Sequence, residues 1–251
     1  NHERLNGHDS DIANLNSRTT SNTNRLNNIE NGPLTKILGR QVEWVEYTLF
    51  NVLLSFNSPA TGPRDLAWDG INLWNADYDN KMIYKVTTSG TLLASFDSPG
   101  SAPSGLAFHA ITPGSGYLWH ADYDTGKIYR LTTSGAIIFS FDSPGPSPQG
   151  LAWDGDNLWH ADTGTDKIYK LTTSGTILAS FDSPGSAPSG LAYDGRNLWN
   201  TDNIAEKIYK LTTSGTILSS FDSPAISPQG LTYDGINLWH ADSNTDRIYK
   251  I

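Results

Sequence analysis

Five short stretches of the chain carry polar residues that can do recognition chemistry, and they recur at matching places. Each reads Leu-Trp, then Asn or His, then a small residue and Asp: Asn75 with Asp77, His120 with Asp122, His160 with Asp162, Asn200 with Asp202 and His240 with Asp242. Asn and His offer donors and acceptors, and the carboxylates accept. Loop residues follow at once, among them Tyr78, Asp79, Tyr123, Asp124, Thr165, Asp166 and Asn244. Such a ring suits a sugar, whose hydroxyls want paired donors and acceptors and whose apolar faces want aromatic stacking. The ten Asn, His and Asp residues are therefore candidate ligand-binding residues. A second reading stays open: a structural hydrogen-bond ring, because an Asp at a strand end also bonds nearby backbone N–H groups and shapes the loop. Three His beside Asp raise metal binding. They fall in separate repeats rather than on one element, so no metal and no cofactor is expected.

The spacing shows what must position these residues. The landmark SF-(D/N)-SP starts at Ser55, Ser95, Ser140, Ser180 and Ser220, at intervals of 40, 45, 40 and 40 residues. The longer interval comes from an insertion, ITPGSG, at Ile111 to Gly116. Periods of this size signal a solenoid, propeller or array. Each unit reads as four short strands parted by Asp-Gly, Thr-Ser-Gly and other turn signals. In the third unit they are GLAWD, NLWHAD, KIYKLT and TILASF. Four strands per unit is the propeller pattern. The fifth unit ends at Ile251 without a fourth strand, and residues 48–56, TLFNVLLSF, match the missing one. The expected fold is all-β, a five-bladed β-propeller over residues 45–251 closed by its N-terminal strand.

Recurrent aromatics give the core. Trp74, Trp119, Trp159, Trp199 and Trp239 share one position, and Tyr84, Tyr129, Tyr169, Tyr209 and Tyr249 another. Such residues pack between neighbouring sheets, each burying ~150–250 Å². The Gly of Gly-Leu-Ala lies on the innermost strand, where strands crowd the axis; Asp65 replaces it in the first unit.

The repeat P-x-G-L-A-(W/Y)-D-G-x-N-L-W-x-A-D-x-x-x-D-(K/R)-I-Y-K-L resembles the NHL-type and streptogramin-lyase-like propeller repeats, with small departures in each copy. The resemblance implies the propeller fold. It says little of function, since those families include scaffolds, binding modules and enzymes. A lyase-like His and Glu pair does not map onto this chain, whose propeller after the closing strand holds one Glu, Glu206.

Residues 1–32 differ in composition, being rich in Asn, Ser and Thr. Leu5, Ile12, Thr19 and Leu26 fall seven apart, as do His8, Leu15, Asn22 and Ile29. Together they alternate three and four, a heptad seam. An α-helical coiled coil, resembling the trimeric shafts of viral fibres and surface adhesins, is expected there, with Gly32-Pro33 ending the helix. Residues 33–44 would form the neck.

Composition bounds the partners. The formal charge of −9 opposes nucleic-acid binding, which needs clustered Lys and Arg. No apolar run approaches the ~20 residues of a membrane-spanning helix, so no membrane insertion is expected. Cys is absent, which removes thiol chemistry. The reading is a non-enzymatic binding head on a homotrimeric stalk, recognising a glycan or other surface receptor from an extracellular or virion-surface location. Two alternatives stand beside it, a structural spacer domain and a lyase-like enzyme.

Overall fold

The computed structural model describes residues 51–251; the expected coiled coil (1–32), the neck (33–44) and residues 45–50 of the expected propeller, with the start of its closing strand, lie outside them. Among the described residues there are twenty strands and no helix. Strand β1 (Leu54–Asn57) leads. Blade one is β2 (Pro63–Trp68), β3 (Leu73–Asp77), β4 (Met82–Val86) and β5 (Leu92–Asp97). Blade two is β6 (Pro103–Thr112), β7 (Ser115–Asp122), β8 (Lys127–Thr132) and β9 (Ile137–Asp142). Blade three is β10 (Pro148–Trp153), β11 (Leu158–Asp162), β12 (Lys167–Leu171) and β13 (Ile177–Asp182). Blade four is β14 (Pro188–Tyr193), β15 (Leu198–Asp202), β16 (Lys207–Leu211) and β17 (Ile217–Asp222). Blade five is β18 (Pro228–Tyr233), β19 (Leu238–Asp242) and β20 (Arg247–Lys250), completed by β1.

The ring closes as the repeat count requires. β1 runs antiparallel to β20, with Leu54 opposite Lys250 and Asn57 opposite Arg247. The Leu53 N–H donates to the Lys250 carbonyl at 2.8 Å, and the Arg247 guanidinium to the Ser55 hydroxyl at 2.7 Å. Phe56 of this strand packs on Trp239, centroids 6.2 Å apart. Replacing Phe56 by Ala strips an aromatic ring from a half-buried site and should cost about 2 kcal/mol, below the full-core range. For a domain of this size that lowers Tm by roughly 5 °C. Scanning calorimetry checks it; an unchanged Tm would mean that this strand contributes nothing to closure.

The core lies between blades. Each of five apolar clusters joins two neighbours: Trp74, Ala76 and Ile83 of blade one meet Leu106, Phe108 and Leu118 of blade two. The cluster of Trp239, Ala241 and Ile248 with Leu66, Leu73 and Val86 seals blade five to blade one. The five repeated Trp are all buried, as repetition of a mid-strand aromatic implies. Tyr129 and Tyr169 are buried too, while Tyr84, Tyr209 and Tyr249 are half-buried.

A second repeated pair holds the Trp. The Asp after Leu-(Ala/Thr)-(Trp/Tyr) accepts from the indole N–H in four blades: Asp69 from Trp74, Asp154 from Trp159, Asp194 from Trp199 and Asp234 from Trp239, at 2.8–3.1 Å. A Lys one strand outward pairs with the same carboxylate, as Lys85 does with Asp69 at 2.8 Å. Blade two breaks the pattern. His109 stands in the Asp position and stacks on Trp153 of the next blade at 4.3 Å. The Trp119 indole N–H is left without an acceptor, and Arg130 in place of the Lys lies over the Tyr117 ring at 4.1 Å. The insertion extends this blade's first hairpin and reaches blade one, where the Gly114 N–H donates to the Asp69 carbonyl at 2.6 Å.

Candidate functional site

The register decides which loops share an end. In every blade the Pro that opens the inner strand pairs with the Asp that ends the second strand, as Pro148 does with Asp162. The long connections between blades and the second-to-third loops therefore gather at one mouth of the ring, as expected for loops that carry recognition. The Asn/His and Asp positions lie just beneath it.

All ten of those side chains are fully buried: Asn75, Asp77, His120, Asp122, His160, Asp162, Asn200, Asp202, His240 and Asp242 each show 0 % exposure. Direct contact with a ligand does not fit this burial. They brace the loops instead. One oxygen of Asp162 accepts from the Ser147 N–H of the inter-blade loop at 2.8 Å; the other accepts from the Thr165 N–H at 2.9 Å. Asp122, Asp202 and Asp242 repeat this, taking the N–H groups of Ala102, Ala187 and Ser227. The His ties the inner strand to the preceding loop. His120 Nδ1 donates to the Gly105 carbonyl at 3.1 Å and His240 Nδ1 to that of Gly230 at 3.2 Å. A carbonyl only accepts, so Nδ1 carries the hydrogen and Nε2 is the acceptor. The Ser98 and Ser223 hydroxyls then donate to Nε2 of His120 and His240, at 2.9 and 3.1 Å, and Ser143 Oγ lies 3.0 Å from His160 Nε2. Asn200 does the same work with its amide, donating to the Gly190 carbonyl and accepting from Ser183. These Ser are the last-but-one letter of SF-(D/N)-SP. The motif's recurrence in step with Asn/His was the signal for the pairing, and sequence reasoning missed it.

Burial in this wall holds the imidazoles neutral. His120, His160 and His240 are each lowered from 6.5 to about 4, with desolvation first and the neighbouring Asp opposing it.

Blade one departs at the same level. The Gly62 N–H, with φ +82°, turns to Asp246 at 2.9 Å instead of to Asp77. One oxygen of Asp77 and the Asn75 carbonyl oxygen are buried without partners. Asp77 is pushed above the usual carboxylate range, by burial first, with the Asn80 amide opposing.

On the axis, Asp65 fills the place that Gly105, Gly150, Gly190 and Gly230 hold elsewhere. A Cβ on those Gly would strike the next blade's backbone. The fully buried Asp65 carboxylate gathers four backbone N–H groups: Leu66 at 2.9 Å, Leu106 at 2.8 Å, and Leu151 and Leu231 at 3.2 Å each. Burial raises it well above its ordinary value, and those four donors pull against the rise. The residue noted in the sequence as an oddity is thus an axial plug joining four blades.

Above the plug, at the long-loop mouth, the structure opens a pocket of about 270 Å³ lined by Arg64, Tyr78, Ser104, Tyr123 and Gln149. Tyr78 and Tyr123 are 39 % and 43 % exposed. Arg64, Ser104 and Gln149 directly follow the Pro of their inner strands, where the other blades carry Ser189 and Gln229. Arg64 donates to the Gln229 side-chain oxygen at 3.2 Å and lies over the Tyr78 ring at 4.7 Å. The two Tyr stood in the sequence as loop residues beside the candidates; Ser104 and Gln149 gave no signal there, since nothing in a single strand shows which side chains meet across the axis. Among the described residues no group of three or more His, Asp or Glu could hold a metal ion.

Comparison with known proteins now bears on this propeller. The model of the virginiamycin B lyase family matches residues 58–251. The chain belongs to that family. Selenomethionine-substituted virginiamycin B lyase from Staphylococcus aureus is 28 % identical at TM-score 0.51, over 78 % of this chain and 67 % of that one. A streptogramin B lyase structure is 18 % identical at TM-score 0.50, over 78 % and 96 % of the two chains. Myxococcus xanthus glutaminyl cyclase is 11 % identical at TM-score 0.67, over 80 % and 94 %. The last two likenesses are of fold alone. A search of the curated proteins gives no match.

Proposed function

We propose that this virginiamycin B lyase family propeller is a non-enzymatic binding head that takes a glycan or similar small polar ligand in the long-loop mouth. The observation that carries the reading is the asymmetric pocket: two half-exposed Tyr rings beside Arg64 and Gln149, over a rigid floor. Sugars are held by this combination, aromatic faces for the apolar ring side and planar amide or guanidinium donors for hydroxyls. The homotrimeric stalk of residues 1–32 belongs to the same proposal, with an extracellular or virion-surface setting. Linking several weak heads raises apparent affinity by ~10²- to 10⁴-fold without new contacts. Light scattering of the full chain should give three times the 27.4 kDa of one chain; a monomer at micromolar concentration removes the stalk.

A glycan array tests the binding. Tyr78→Ala and Tyr123→Ala should each weaken the best hit about tenfold or more, with thermal stability unchanged. No hit on any glycan returns the domain to the spacer reading.

Family membership favours one second reading, a lyase. Virginiamycin B incubated with the protein and followed by mass spectrometry should remain unchanged; time-dependent conversion would install the enzyme instead.

A further inference from the structure

The mouth pocket has one charged residue that the repeat does not explain. At the position after the inner-strand Pro, four blades carry neutral Ser104, Gln149, Ser189 and Gln229, and blade one carries Arg64. A guanidinium has five N–H donors in a planar fork. Arg64 directs one nitrogen to Gln229 and lays its plane near Tyr78, which leaves most of the fork for the pocket. Its acidic neighbour Asp79 acts on it through space, without an ion pair. Most other cations near a carboxylate in this propeller are matched: Lys85, Lys127, Lys167, Lys170, Lys207, Lys210 and Lys250 all pair. Two more groups face the same space. The Gln149 side chain lines the pocket from blade three, and Ser104 lines it while donating to the Ala121 carbonyl at 3.0 Å.

From this juxtaposition we infer that the pocket selects a ring bearing a carboxylate, an acidic sugar of the uronic type, with Arg64 as its specificity-determining residue. The planar carboxylate matches the guanidinium fork through paired N–H···O bonds, which a neutral hydroxymethyl group cannot form. The sugar ring then lies against the faces of Tyr78 and Tyr123, and the Gln149 amide takes a hydroxyl. A half-buried, unpaired guanidinium carries a desolvation cost that an arriving carboxylate offsets. Burial correspondingly lowers the Arg64 pKa, with Tyr78 and Asp79 opposing. The inference rests on the binding reading above and narrows its ligand class.

The test is isothermal titration of the full chain with methyl β-glucuronide and methyl β-glucoside, which differ only at the carboxylate. The glucuronide should bind at least tenfold tighter. Arg64→Gln should abolish that difference while leaving the weaker glucoside binding in place, and Arg64→Lys, which keeps the charge but loses the fork, should restore only part of it. Melting curves of both variants should match the parent. Equal binding of the two sugars, or a preference that survives Arg64→Gln, overturns this inference and leaves the binding head standing. Silence toward both sugars together with an empty glycan array overturns the binding reading and this inference with it.

Discussion

Lowering the pH from 7 to 4 is expected to unfold the propeller, with a midpoint between pH 4 and 5 and a net uptake of protons. The cause is the inner wall of blades two, three and five. His120, His160 and His240 are buried and neutral, each lowered from 6.5 to about 4. A basic group with a depressed folded pKa stabilises the fold above its unfolded pKa. That stability drains as pH falls from 6.5 toward 4, because the unfolded chain takes up the proton first. Each His then forfeits about 3 kcal/mol. Three together take a large share of the ~5–15 kcal/mol stability of an ordinary domain. Asp154, Asp194 and Asp234 act in a different window. Held below the usual carboxylate range by Lys, Trp and backbone donors against the opposing pull of burial, they lose their contribution only below about pH 4. Asp65 and Asp77, raised by burial, have the opposite sign and favour the fold as pH drops.

The chain supplies its own control. Blades one and four hold Asn75 and Asn200 where the others hold His, and Asn200 keeps both contacts. Replacing all three His by Asn should lower the acid midpoint by about one pH unit or more. Far-UV circular dichroism against pH measures it. A midpoint that the triple substitution leaves in place would show that the imidazoles do not control acid stability.

Asp65 gives the second large effect. Asp65→Asn preserves shape but turns a two-oxygen acceptor into one oxygen and one NH₂. Of the four backbone N–H groups that converge there, two would then face donors. A buried unsatisfied donor costs ~1–3 kcal/mol, so the substitution should cost about 4 kcal/mol. Tm should fall by roughly 10 °C. Asp65→Ala orphans all four and should cost more. Urea denaturation with an unchanged slope would read the loss as stability rather than altered compactness. If Asp65→Asn matches the parent, the carboxylate is not the plug that its hydrogen bonds describe.

Both effects show what a sequence can and cannot display. The blades were legible because hydrophobic runs, turn residues and a ~40-residue period all agree, and β1 was legible because the count of strands demanded it. The fate of Leu-Trp-His-Ala-Asp was not. A lone strand with alternating polar residues reads as half-exposed, yet here every residue of β11 is buried, since sheets cover both of its faces. Polar residues at such positions are internal struts, and only packing reveals it. Asp65 was visible as a departure from Gly, but its four partners lie on inner strands of four blades, so no local pattern could name them. The mouth pocket likewise joins residues of three blades, Arg64 and Tyr78, Ser104 and Tyr123, and Gln149, that the chain separates by tens of residues.

The central claim is that binding belongs to this asymmetric mouth and that the repeated Asn/His–Asp set beneath it is scaffold. Two-dimensional NMR of the ¹⁵N-labelled chain titrated with methyl β-glucuronide tests it most directly. The account predicts saturable shifts of the Gln149 side-chain amide and the Arg64 Nε–H, while the imidazole signals of His120, His160 and His240 stay fixed. Shifts confined to those imidazoles, or a mouth that stays silent at every sugar concentration, would contradict it.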